Sequence, residues 1–399
     1  MNIAFITAGV LPVPPVDGGA VENLIDLFLK ENEKSGEHEI TLYSIFSEDA
    51  LRKSKEYKHT NFIFLKNTQI DIFKDKLIAK VNHYFNDIIF RPNPFLEKVM
   101  HEIKDKNYDR IIIENRPQYG YFIKNITNSP LVLHLHNDTL NSNVKNCEQI
   151  LGAYNEVYTV SNYIRDRVLT IVNTKKVKTL YNGIDTESFS QSLTEAEYVK
   201  LRKKYNINKD DFVILYSGRI VKEKGVKELV AAFNNVSNRG NIKLLVLGSS
   251  IYGKTRKDRY FNEVENLVHD NKSNIIFTGY IDYKDIPKMY EIANIGVVPS
   301  IWDDPVTLTT VEMLSMKLPI IVTDSGGIPE LVNEKCAITV KRNNEIIKSL
   351  QHNIEKLIDD KHLRNEMINC SRNHALKFTN KKYYQNFNKL IKGELGDEK

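Results

Sequence analysis

Short, almost unbroken apolar runs rich in β-branched residues recur along the whole chain, and each is followed by a longer segment of helical period. In the first half they are Asn2–Ala8, Glu39–Ser44, Asn61–Leu65, Arg110–Glu114, Leu131–Leu135 and Val157–Val160. In the second half they are Phe212–Ser217, Ile242–Leu247, Asn274–Thr278, Ile295–Pro299, Pro319–Thr323 and Ala337–Val340. A strand that is apolar on both faces is buried on both, and between helices this means a parallel sheet covered on each side. Six runs in each half predict an α/β protein of two Rossmann-like, doubly wound parallel-sheet domains facing a central cleft. A chain of 399 residues is long enough for two such domains.

The stretch Asn182–Tyr205 is polar, holds the turn signal Asn182-Gly183 and precedes the strand at Phe212. It places the first domain at residues 1–190 and the second at 191–375. Residues 376–399 hold a polar helix carrying Tyr383, Tyr384, Phe387 and Leu390. With the second sheet already complete, that aromatic face is expected to return to the first domain. From Ile72 to Phe90 apolar residues at 73, 77, 81, 84, 85, 88 and 89 form a helical face beside Lys74, Lys76 and Lys80. Such a helix covers a sheet, or it touches a membrane or a lipid-linked acceptor.

Apolar residues make up 41% and charged residues 27%, the balance of a soluble globular protein. The 56 Lys and Arg against 51 acidic residues leave +5, which suits an enzyme handling phosphates or working beside an anionic membrane. It is too small an excess for a nucleic-acid binder, and aromatic and basic residues do not cluster. Cys147, Cys336 and Cys370 are far apart and form no C-x-x-C pair, so a reducing compartment is expected, without a disulfide framework or zinc site. Met1–Val10 has no basic leader, and no apolar run reaches 18 residues. The expected location is the cytoplasm, extending to the inner face of the membrane.

Three segments carry chemistry at strand ends. Val16-Asp17-Gly18-Gly19-Ala20 leads into a one-faced helix, and paired glycines there expose backbone N–H groups to a phosphate; a tight strand-to-helix turn explains them equally well. The segment is not G-x-G-x-x-G, which disfavours a nicotinamide dinucleotide. Ser217-Gly218-Arg219 and Lys224-Gly225 follow a strand end, where parallel sheets bind ligands. There Arg219 and Lys224 are suited to neutralising a departing diphosphate without a metal. In Trp302-Asp303-Asp304-Pro305, Asp304 is placed at a helix start, with Glu312 eight residues on. On one helix the two carboxylates would share a face about 12 Å apart. That exceeds the roughly 5–9.5 Å of a glycoside hydrolase pair. The spacing suits two hydroxyl-bearing parts of one long ligand, with a phosphate at the helix tip.

These segments resemble the family-4 retaining glycosyltransferases of GT-B fold over essentially the whole chain. The glycine-rich loop, the Ser-Gly-Arg and Lys-Gly element, the E-x7-E spacing, Asp324-Ser325-Gly326-Gly327-Ile328-Pro329-Glu330 and Asn182-Gly183-Ile184-Asp185 stand in family order. Leu11-Pro12-Val13-Pro14-Pro15 and Trp302-Asp303-Asp304-Pro305 are similar to a subgroup acting on bacterial surface and spore-coat polysaccharides. The resemblance implies transfer of a hexose-type sugar from a nucleotide diphosphate donor, UDP being common in the family, to a saccharide or lipid-linked acceptor, with no metal or other cofactor.

By the same resemblance Gly18 and Gly19 would lie against the donor phosphates, and Arg219 with Lys224 would bind the diphosphate. Asp304 would accept from hydroxyls of the transferred sugar and Glu312 from those of the ribose. Amides of Thr307, Leu308 and Thr309 would meet the phosphate, and Gly279, Tyr280 and Ile281 the base. His136, at the tip of Leu131–Leu135, occupies the place of a histidine beside the reacting sugar. His134 alternates with it and points the same way. The His-x-His pair has no third ligand at convincing spacing, so no metal is expected there. Glu114, Asn115 and Arg116 end another first-domain strand and are acceptor candidates, and Ser161 suits a helix cap. Two departures stand out. Asp304 replaces the family's glutamate, one methylene shorter, and Val306-Thr307 replaces Phe-Gly. A donor-binding subunit without catalysis and a nucleotide-sugar hydrolase or epimerase are the rival readings.

Overall fold

A computed structural model describes residues 1–85, 88–89, 91–190, 192–236, 241–250, 258–268 and 273–394. The chain forms two compact units, Met1–Gly183 with the segment from Asn380 onward, and Ile184–Thr379. The first crossing thus falls at Gly183–Ile184, ahead of residue 190. The Ile184 N–H donates to the Phe378 carbonyl at 2.9 Å, and Ile184 bridges Thr379.

In the first unit the strands are β1 (Asn2–Ile6), β2 (Glu39–Ile45), β3 (Thr60–Leu65), β4 (Arg110–Glu114), β5 (Leu131–Leu135), β6 (Glu156–Thr159) and β7 (Val177–Thr179). All pair in parallel, in the order β3-β2-β1-β4-β5-β6-β7. The sheet has seven strands where the sequence predicts six. The extra strand, β7, is a three-residue edge strand carrying Lys178, so it lacks the two-sided apolar signature of the others. The helix Asn380–Ile391 belongs to this unit. Its Phe387 is fully buried, with ring centroids 4.7 Å from Phe28 and 6.0 Å from Phe5.

The second unit holds β8 (Phe212–Ser217), β9 (Ile242–Leu247), β10 (Ile275–Gly279), β11 (Ile295–Val298), β12 (Ile320–Thr323) and β13 (Ala337–Val340). They are parallel in the order β10-β9-β8-β11-β12-β13. Helices on both faces seal the strands: Ile214, Leu215, Leu244, Leu245, Ile320 and Ile321 are inaccessible to water. Burial of each such side chain contributes roughly 1.5–3 kcal/mol. In each sheet the strand order reverses once, between β1 and β4 and between β8 and β11. Ligands of open α/β sheets bind at the carboxyl ends of the strands at that reversal.

The helix Gln69–Phe85 stops short of the expected Phe90, which lies outside the described residues. It does not turn its apolar side to the sheet. Ile70, Phe73, Leu77 and Tyr84 are exposed, while Asp71 on another side is bonded by Lys98 of the helix Pro94–Ile103 at 2.7 Å. Among the described residues no helix is long and apolar enough to cross a membrane.

Candidate functional site

The reversal point of the second sheet gathers most of the residues singled out by the sequence. After β8 the chain runs through Gly218 and Arg219, whose carbonyl accepts from the Tyr216 hydroxyl at 2.7 Å, then into a 3-10 turn, Lys222–Lys224. After β11 it runs through Pro299 and Ser300 to Asp304. The two loops are joined directly. The Ile301 N–H donates to the Glu223 carbonyl at 3.0 Å, and Lys224 Nζ sits 2.6 Å from Asp304 Oδ2. Gly225 permits this approach: its φ is +68°, and a Cβ there would stand 1.8 Å from the Pro299 carbonyl oxygen. Ser300 also donates to Asp304 Oδ2, at 2.9 Å.

Asp304 is not on the helix that carries Glu312, which corrects the geometry inferred from the spacing. That helix is Leu308–Ser315, with Thr307 as its N-cap. A residue before proline is pushed out of helical conformation, so Pro305 keeps Asp304 in the loop. The Asp304 carbonyl accepts from the Gly327 N–H at 2.8 Å, and Gly326 (φ +54°) leaves room for the crossing. Thr307 does not cap the helix with its hydroxyl, which pairs with that of Thr310 at 2.6 Å. The first amides of a helix have no intrahelical partner and carry the positive end of its dipole. Those of Leu308 and Thr309 are therefore suited to an anion.

Glu312 is buried, with the Tyr283 hydroxyl donating to Oε1 at 2.9 Å and the Tyr290 hydroxyl donating to Oε2 at 3.1 Å. Burial pushes its carboxyl up to about 7, and the two tyrosine hydrogen bonds act against that rise. Ser217, at the end of β8, and Thr309, at the helix tip, stand close enough to the Tyr290 hydroxyl to oppose the rise that burial and Glu312 give its pKa. Gly279 ends β10 with φ +73° and accepts from the Gly248 N–H at 3.1 Å. Tyr280 beside it is exposed, and Ile281 is half-buried. Sequence reasoning missed Tyr283, Tyr290 and Ser300. The signal available for the tyrosines was a pair seven residues apart just after the Gly279–Ile281 loop.

The first unit gathers the remaining candidates at its own reversal point. Gly18 and Gly19 have φ of +80° and +102° and precede the helix Ala20–Ser35. The Glu22 carboxylate folds back onto this turn, where a Gly19 Cβ would stand 2.1 Å from Oε2, and burial raises its pKa. Glu114, at the end of β4, is buried, 2.7 Å from His136 Nε2 and 3.1 Å from His134 Nδ1. It is the third group that spacing along the chain did not reveal, because it lies on the neighbouring strand, in register with His134. The ligand atoms of the three lie within 4.8 Å of one another, near enough to hold a metal ion. A ligating histidine ordinarily donates its other ring N–H to an acceptor, yet His134 Nε2 is buried with no partner. The cluster therefore fits mutual hydrogen bonding better than metal ligation. Burial, followed by His134, pulls the His136 pKa down to about 4, so its ring is neutral near pH 7.

Asn115, in left-handed conformation (φ +53°), accepts from the His136 N–H at 3.2 Å. Arg116 Nε is buried without a partner. Ser161 caps the helix Asn162–Leu169 by accepting from the Ile164 N–H, which accounts for it without a ligand.

Solved structures identify the architecture. HepE of Anabaena in complex with UDP superimposes with a TM-score of 0.77 at 17% identity, covering 98% of this chain and 100% of that one. A glycosyltransferase from Rickettsia africae superimposes at 0.74 and 20% identity, covering 100% and 99%. The fold is that of the GT-B glycosyltransferases. Residues 198–374, nearly the whole second unit, match the family described as glycosyl transferases group 1. The putative glycosyltransferase YtcC of Bacillus subtilis is 26% identical over 94% of this chain and 88% of its own. Spore coat protein SA of the same organism is 23% identical over 94% of each. In its second unit the chain is thus similar to the group 1 glycosyltransferases, and along most of its length to the two Bacillus subtilis proteins.

Proposed function

We propose that the chain transfers a hexose-type sugar, with retention of anomeric configuration and without a metal, from a nucleoside diphosphate carrier to a saccharide or lipid-linked acceptor. The observation that carries this reading is the joined set in the second unit: Lys224 bonded to Asp304, the uncapped helix tip at Leu308, and Glu312 held by two tyrosines. Arg219 and Lys224 neutralise the diphosphate together with the amides of Leu308 and Thr309. Glu312 keeps lone pairs beyond those its tyrosines use and accepts from the ribose hydroxyls. Asp304 accepts from the transferred sugar, and the Gly279–Ile281 segment meets the base. In the first unit His136, steadied by Glu114, acts on the substrate, and Asn115 and Arg116 are the acceptor candidates. The acceptor oxygen bonds the anomeric carbon on the face from which the diphosphate departs, and the leaving phosphate oxygen takes the acceptor proton, so neither an enzymic nucleophile nor an enzymic base is required.

UDP is the preferred carrier, supported by the UDP in the Anabaena structure. A role in surface polysaccharide synthesis is supported by the likeness of part of the chain to the capsular polysaccharide biosynthesis glycosyltransferase CapM of Staphylococcus aureus. The test is a melting-temperature screen against UDP- and GDP-sugars, with and without chelator, since a ligand of the folded state raises its Tm. A UDP-sugar should stabilise the protein equally in both conditions. Turnover with an acceptor should leave the new glycosidic bond in the donor's configuration by NMR. An inverted product, or donor consumption that no acceptor accelerates, would refute the reading.

A further inference from the structure

The helix Gln69–Phe85 is amphipathic in an inverted sense, with its apolar stripe facing water. Ile70 is 67% exposed, Phe73 69%, Leu77 53% and Tyr84 83%. At 100° per residue these four and Val81 fall within an arc of about 80°. Lys74 borders the stripe on one side, and Lys76 and Lys80 border it on the other, all three exposed. The acidic residues avoid it. Asp75 projects from the opposite side, and Asp71 is bonded to Lys98 at 2.7 Å, which ties the helix to its neighbour Pro94–Ile103.

A contiguous exposed apolar stripe marks a surface for something other than water, and the charges around it select the occupant. A second copy of this chain, meeting the first about a two-fold axis, would bring the two lysine-bordered stripes together and set like charges against each other. A bilayer with anionic headgroups instead offers apolar tails to the stripe and negative charge to both lysine borders. The helix has 17 residues. It is too short and too charged to span a bilayer, and of the kind that lies in the interface plane. Phe73 and Tyr84 supply the aromatic rings favoured at that depth.

We propose that this helix docks the protein peripherally on anionic lipid bilayers, stripe down, with Lys74, Lys76 and Lys80 among the headgroups. The proposal does not depend on the donor reading, because lipid binding needs no nucleotide.

The test is co-sedimentation of the full chain with vesicles of phosphatidylcholine alone or mixed with phosphatidylglycerol. The wild type should bind the anionic vesicles at least about tenfold more tightly than the neutral ones, and less tightly as salt rises. Phe73→Ser with Leu77→Ser should lose that binding, while the Tm and its rise with a UDP-sugar stay unchanged. Replacing the three lysines by glutamine should remove most of the salt dependence. Failure of the wild type to sediment with anionic vesicles at low salt would overturn the proposal. So would undiminished binding by the Phe73→Ser and Leu77→Ser variant, or a stripe-dependent dimer in solution that does not bind vesicles.

Discussion

Lys224 Nζ lies 2.6 Å from Asp304 Oδ2, a salt bridge between loops 80 residues apart that follow β8 and β11. The two strands flank the reversal point of the second sheet, so the pair fixes the spacing of the groups proposed to meet the diphosphate and the sugar. Its worth is expected in turnover more than in folding, since Lys224 keeps part of its side chain in water and such pairs add little stability. Lys224→Ala and Arg219→Ala should each lower kcat/KM by about 10²–10³, the loss typical of a preorganised electrostatic group. The Tm should change little. Steady-state kinetics beside thermal denaturation separates the two effects, and wild-type rates in both variants would remove the loop from the site.

Glu312 gives a pH signature. Its carboxyl is raised from 4.5 to about 7, chiefly by burial, so between those values the folded protein binds more protons than the unfolded chain. Stability therefore falls as pH rises through that window and levels off above pH 7. Glu312→Gln removes the titrating group, and the Tm of the variant relative to wild type should climb between pH 5 and pH 8. If ribose hydroxyls donate to the ionised carboxylate, wild-type affinity for UDP should strengthen across the same range. That gain should be absent in the variant. Calorimetric titration of UDP at several pH values measures it.

The legibility of this fold follows from burial. Strands covered on both faces must be apolar throughout, so twelve of the thirteen described strands stood out as runs, while the short, lysine-bearing β7 did not. The candidate site was legible where a charge or a glycine follows a strand, as at Arg219, Lys224 and Gly279, which the structure places at or beyond the ends of β8 and β10. It was not legible where tertiary contact decides. Pro305 read as the first residue of a helix that begins at Leu308, which put Asp304 on the wrong element. Tyr283 and Tyr290 carry no local mark that their hydroxyls meet Glu312. Glu114 joined the two histidines only when strand register set β4 beside β5.

The pairing of Glu114 with His136 separates positioning from metal binding. At 2.7 Å from His136 Nε2 the carboxylate holds the ring's orientation and keeps the proton on that nitrogen. Glu114→Gln should lower kcat by about 10²-fold, a loss within reach of a displaced group, with a smaller change in KM for the donor. Glu114→Asp should recover part of the loss. Chelator should leave the wild-type rate untouched. Inactivation by chelator, reversed by a divalent metal, would assign the three side chains to a metal instead.

The helix Asn380–Ile391 completes the core of a unit whose other residues end at Gly183. Phe387 is fully buried among Phe5, Phe28 and Tyr158, and Tyr384 hydrogen-bonds Ser35 at 2.8 Å and Asn32 at 3.1 Å. Phe387→Ala removes a ring and leaves a cavity bordered by side chains that cannot all collapse into it, at a cost of about 3–5 kcal/mol. The loss should fall on the first unit, because no part of the second unit's core is touched. Urea denaturation of the variant should show an early transition, while the stabilisation of the later one by a UDP-sugar persists. A single transition at the wild-type midpoint would mean that the helix contributes little to the core it fills.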